Sequence, residues 1–130
     1  MSDDNNPFNI LGSEKVPVAG GTPINEVDTS SSLEERIKNL LGSSDILLFM
    51  KGTADMPMCG FSANVVSILN ALNSSYKTFN ILDDMDIRQG LKEYSNWPTF
   101  PQLYVKGKLI GGNDIIMEMY EDGELKDVLR

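Results

Sequence analysis

Residues 45–72 read DILLFMKGTADMPMCGFSANVVSILNAL, and three successive patterns within them decide the fold. DILLFMKG is a short unbroken apolar run bounded by polar residues and glycine, which predicts a strand buried on both faces. The loop that follows holds Pro57 and ends at Cys59, the one cysteine of the chain. From about Gly60 to Leu72, the residues Val65, Ile68, Leu69 and Leu72 recur at i, i+3, i+4 and i+7, the spacing of a helix with one apolar face. Strand, loop and helix in that order place Cys59 at a helix start and off its apolar stripe.

The flanking segments extend this unit. SSLEERIKNLLG has Ser32 and Glu35 at capping-box spacing and Gly42 to close its end, predicting a helix with Leu33, Ile37, Leu40 and Leu41 inward. YKTFNIL predicts a strand, and DDMDIRQGLKEYS a helix with Ile87, Leu91 and Tyr94 on its inner face. After NWPTFP, QLYVKGKLIGG predicts two strands about a Lys-Gly-Lys turn, and NDIIMEMYEDGELKDVLR one or two helices broken near Gly123. The order α-β-α-β-α-β-β-α is a βαβ unit followed by a hairpin and a closing helix, with the first two strands parallel. The expected class is α/β, a thioredoxin-like four-stranded mixed sheet with helices on both faces, although pattern alone leaves other small α/β folds open.

Residues 1–30 are rich in Asn, Asp, Ser, Gly and Pro, with apolar residues scattered singly, and five acids stand there against Lys15. They are expected to be a disordered or weakly ordered acidic tail, leaving one domain at 31–130. The opening MSDDNNPFNILG carries acids where a signal or transit peptide would carry Arg or Lys, so neither is expected. A net charge of −8 disfavours nucleic acid and anionic membrane as partners, and no apolar run is long enough to span a bilayer. One cysteine cannot form an internal disulfide, which fits a reducing compartment. The absence of His removes His-based triads and His-ligated zinc.

A lone cysteine is often a small buried hydrophobe, but a helix start offers unpaired N–H groups and the positive end of the macrodipole, which favour a thiolate. Lys51, at the end of the preceding strand, adds a positive charge to the same loop. Both lower a thiol pKa from its free value of about 8.5. In Cys59-Gly60-Phe61-Ser62, a hydroxyl stands where a dithiol motif would have its second sulfur, so dithiol cycling within the chain is impossible.

KGT, PMCGFS and IRQGLKEYSNWPTFPQLYVKGKLIGGNDI, in that order, resemble the CGFS-type monothiol glutaredoxins in their single-domain form, over about residues 33–130. The resemblance implies a cis peptide at Phe100-Pro101 that exposes the Phe100 backbone to glutathione. It implies Lys51 and Arg88 as ligands of the glycyl carboxylate and Asp114 and the Asn113 N–H at the γ-glutamyl end within Gly112-Asn113-Asp114, while Phe61 suits a packing residue, an apolar wall of the pocket, or both. By residue type, Gly60 allows close backbone approach, Trp97, Phe49 and Tyr104 suit core or pocket support, and Asp114 suits a helix N-cap. Many members of that family have a second cysteine where this chain has Asn113.

The resemblance also implies a [2Fe-2S] cluster, which needs four sulfur ligands. One chain supplies only Cys59, so two copies and two glutathione thiols complete the set in a cluster-bridged dimer. Such a protein takes clusters from an iron-sulfur scaffold and passes them to recipient apoproteins. The competing expectation is a monothiol oxidoreductase, at most weak, in which Cys59 attacks glutathione mixed disulfides. By resemblance the compartment is the mitochondrial matrix, with the cytosol as the alternative.

Overall fold

The structure, a computed structural model, describes residues 20–24 and 32–129. Five strands form one mixed sheet: β1 (Gly20–Pro23), β2 (Ile46–Met50), β3 (Ser75–Asn80), β4 (Gln102–Val105) and β5 (Lys108–Gly111), in the spatial order β1-β3-β2-β4-β5. The helices are α1 (Leu33–Gly42), α2 (Gly60–Ala71), α3 (Met85–Ser95), α4 (Asn113–Asp122) and α5 (Leu125–Val128). This is the expected thioredoxin-like arrangement. No helix among the described residues is long and apolar enough to cross a membrane.

β2 and β3 run parallel with Leu47 opposite Lys77, while β4 runs antiparallel to β2 with Leu48 opposite Leu103. All five residues of β2 are buried, because successive side chains serve opposite cores. Leu48 and Met50 join Val65, Leu69, Ile116 and Leu125 beneath α2, α4 and α5. Leu47 and Phe49 join Ile37, Leu40, Ile87 and Leu91 beneath α1 and α3. Phe49 meets the Tyr104 ring nearly edge-on at a centroid separation of 5.4 Å. The β4–β5 hairpin turns through Lys106 and Gly107, both at positive φ, the twist that suits a two-residue connection.

The sheet has five strands where four were expected. The addition is β1, parallel to β3 with Gly21 opposite Tyr76. It lies inside the segment read as a tail, as does Ile24, whose N–H donates to the Thr78 carbonyl at 2.9 Å, and the remainder of that segment falls outside the described residues. A strand of sequence GGTP has no alternation and no large apolar residue, so periodicity could not announce it. Its fit depends on Gly21, where a Cβ would stand 2.7 Å from the Tyr76 ring and 2.8 Å from Thr78 Cγ2.

Smaller differences also have local causes. The Ser32–Glu35 capping box is formed, but α1 is closed by Ser43, whose hydroxyl donates to the Leu40 carbonyl at 2.6 Å, and Gly42 is simply the last helical residue. Tyr94 is 46% exposed and not inward, since Ile87 and Leu91 already fill the face of α3. Asp84 caps α3 through the Asp86 and Ile87 N–H groups and pairs with Arg36, which locks α3 to α1.

Candidate functional site

β2 delivers Lys51 to one side of a tight loop, and the loop returns the chain to α2 with Cys59 as N-cap. Met58 N–H donates to the Lys51 carbonyl at 2.8 Å, and Thr53 and Met56 exchange backbone bonds at 3.2 and 3.1 Å. Gly52 sits at φ +91°, where a Cβ would come within 2.5 Å of the Met56 carbonyl oxygen, so only glycine fits without rearrangement. Its N–H donates to Asn80 Oδ1 at 2.9 Å, which anchors the loop to the end of β3.

Cys59 is partly exposed and its sulfur makes no formed capping hydrogen bond. Even so, its pKa lies below the ordinary thiol value. The Ser62 backbone N–H is the leading influence, opposed by burial and assisted by the Phe61 N–H, the Lys51 charge and the Ser62 hydroxyl. Ser62 is fully buried, and its oxygen also accepts the Lys51 backbone N–H at 3.2 Å. The residue in the second-sulfur position is therefore a brace between strand end and helix start.

The facing wall comes from three other elements. α3 contributes Arg88, the segment after it Trp97 through Pro101, and the start of α4 Asn113 and Asp114. The Phe100-Pro101 peptide bond is cis. Gln102, fully buried, holds this wall in place: its Nε2 donates to the Trp97 and Thr99 carbonyls, both at 3.1 Å, and its Oε1 accepts the Tyr104 hydroxyl at 2.9 Å. Asp114 does not cap α4, contrary to expectation. The N-cap is Gly112, two residues before that carboxylate, which lies in the first turn.

These walls enclose a cleft of about 670 Å³. Cys59, Lys51, Phe61, Arg88, Phe100, Pro101, Gly112, Asn113 and Asp114, all singled out in the sequence, line it together. Trp97 lines it too, its indole packed so close to Gly112 that a Cβ there would lie 3.2 Å from Nε1. Sequence reading missed Lys92, which follows Arg88 by one helical turn and so shares its face. It also missed the bracing of Gln102, for which a polar residue inside an otherwise apolar strand was the available sign. Among the described residues Lys51, Arg88 and Lys92 form no ion pair. Three uncompensated cations thus face a cleft in a chain of net charge −8.

Residues 46–110, half of the chain, match the family model for glutaredoxin. The chain belongs to the glutaredoxin family. Among curated relatives, this glutaredoxin is 54% identical to an uncharacterized monothiol glutaredoxin ycf64-like of Synechocystis, over 72% of this chain and 88% of that one. It is 59% identical to monothiol glutaredoxin-S17 of Arabidopsis thaliana over 75% of this chain but only 20% of the relative. It likewise covers 35% of glutaredoxin 3 of Danio rerio, so it spans a fifth to about a third of several relatives it matches. The solution structure of reduced poplar apo GrxS14 superposes with a TM-score of 0.66 at 51% identity, covering 74% of this chain and 88% of that one. A crystal structure of a buckwheat glutaredoxin-glutathione complex superposes at 0.66 with 27% identity, over 78% and 94%.

Proposed function

We propose that this protein is a CGFS-type monothiol glutaredoxin that binds glutathione in the cleft and carries a [2Fe-2S] cluster as cargo. Two copies hold the cluster between them, take it from an iron-sulfur scaffold and release it to recipient apoproteins. The observation that carries the reading is the convergence of Cys59, Asp114 and three cations, unpaired among the described residues, on one cleft. Glutathione has two carboxylates, one ammonium and one thiol, and that charge pattern matches the lining. Lys51 and Arg88, joined by Lys92, suit the glycyl carboxylate, and Asp114 with the free N–H groups of the first turn of α4 suits the γ-glutamyl end. The buckwheat relative's complex with glutathione supports the same ligand class.

The cargo reading adds ligand arithmetic. Four thiolates are needed, the chain has one cysteine, and among the described residues no three His, Cys, Asp or Glu side chains cluster. The remaining sulfurs then come from outside the chain, and bound glutathione supplies a thiolate beside Cys59. Met56 and Met58, in the loop before Cys59, and Phe61 of the cleft lining are each more than 60% exposed, apolar surface suited to a second copy or a recipient.

The lowered pKa of Cys59 favours a second reading, reduction of glutathione mixed disulfides. There the Cys59 thiolate attacks the glutathione sulfur, expels the substrate thiolate and becomes a mixed disulfide. A second glutathione thiolate then attacks that bond, regenerates Cys59 and leaves as glutathione disulfide. Anaerobic incubation with ferrous iron, sulfide and glutathione distinguishes the two readings. The cargo reading expects a brown dimer by native mass, lost in Cys59→Ser. A colourless monomer that reduces mixed disulfides briskly overturns it.

A further inference from the structure

The side chain of Asn113, at the edge of the cleft, is engaged by neighbouring side chains. Its Oδ1 accepts a 2.7 Å bond from Nδ2 of Asn64, on the helix that begins at Cys59. Its Nδ2 donates to Asp114 Oδ1 at 3.3 Å and to Met117 Sδ at 3.6 Å. Both donor protons are thereby used, leaving no side-chain donor for a ligand. Asp114, by contrast, is exposed and forms no ion pair among the described residues. Gly112, as N-cap, offers no side chain to orient it. An exposed carboxylate without a partner rotates among several rotamers, and that freedom is lost when it binds a ligand.

We propose that Asn64 and Asn113 are positioning residues, a two-amide relay that holds the Asp114 carboxylate ready for the ammonium of a γ-glutamyl ligand. The inference rests on the glutathione reading above and adds a specificity device to it. The relay runs in one direction: the Asn64 amide donates to Asn113, whose own amide donates to Asp114. The two helices that begin at the cleft, α2 with the thiol and α4 with the carboxylate, are thus tied through side chains 49 residues apart. A ligand bridging Cys59 and Asp114 meets a preset separation, and the relay acts on the amine of that ligand and not on its thiol or glycyl end.

The test compares two probes, glutathione and the analogue in which the γ-glutamyl amine is replaced by hydrogen, by calorimetry at neutral pH. Wild-type protein should prefer glutathione. Asn64→Leu, close in shape and uncharged, should weaken glutathione roughly three- to tenfold, the worth of one net hydrogen bond, and leave the analogue within about twofold. Asn113→Ala keeps the backbone N–H and should give the same loss, and the double variant no more than either single one, since both break the same series. Equal losses for both probes would mean a merely structural contact and overturn the proposal, as would additive losses or none. Wild-type binding of both probes alike overturns the relay but leaves the glutathione site standing. Wild-type binding of neither overturns both.

Discussion

The backbone N–H of Lys51 donates to the hydroxyl of Ser62 at 3.2 Å, so the end of β2 and the first turn of α2 are pinned together beside Cys59. The pin is buried on the Ser62 side. Replacing Ser62 by Ala leaves that N–H without its partner and should cost about 1–3 kcal/mol in urea unfolding. It should also raise the Cys59 pKa, because the hydroxyl is one of the groups that lower it. Unchanged stability in Ser62→Ala would show that water replaces the brace.

The Cys59 thiol is held below its ordinary value, first by the Ser62 N–H. A lowered folded-state pKa stabilises the fold fully above the unfolded value, and the gain is lost as pH falls through the folded value. Unfolding free energy should therefore rise with pH from the folded pKa up to the unfolded thiol value, about 8.5, and then level, and Cys59→Ser should abolish this slope. The pH midpoint for alkylation by iodoacetamide should lie below that of the same chain unfolded in urea. Lys51→Gln should move that midpoint up only part of the way, since the leading backbone influence is untouched.

Two glycines flank the loop with opposite constraints. Gly52→Ala places a Cβ 2.5 Å from the Met56 carbonyl at φ +91° and should destabilise by at least about 2 kcal/mol, with loss of glutathione binding. Gly60→Ala meets nothing within 4 Å and should fold with unchanged or higher stability. If glutathione lies against that backbone, Gly60→Ala should nevertheless bind it more weakly. Thermal melts paired with binding isotherms check both variants.

Asp84 joins two tasks, capping α3 and pairing with Arg36 of α1. Burial alone would raise its pKa, but the Arg36 side chain and the Ile87 N–H bring it below the usual carboxylate range. Its contribution is present above about pH 4 and lost as the solution is acidified through the folded value. Asp84→Ala should cost about 1–2 kcal/mol near neutral pH and much less below pH 3, as read from denaturation series at both pH values.

Lys92 shares the face of α3 that carries Arg88. Lys92→Gln should weaken glutathione roughly two- to fivefold, the worth of an exposed ion pair, with the loss shrinking in high salt. A loss independent of salt would assign Lys92 to packing.

The sequence by itself determined the elements around β2, the place of Cys59 at a helix start and the impossibility of dithiol chemistry with Ser62. These are local properties, since apolar period, capping spacing and cysteine count are written within a few residues of one another. Lys51 and Arg88 were legible as cations by residue type, and as neighbours only through the family resemblance. Tertiary structure decided that Lys92 joins them, that GGTP adds a fifth strand, that Gly112 and not Asp114 begins α4, and that Gln102 braces the wall. It alone decided that Asn64 meets Asn113. Each of these depends on how elements cross and register. Polar contacts between distant segments leave no periodic trace, because a single side chain on each element is enough to make them.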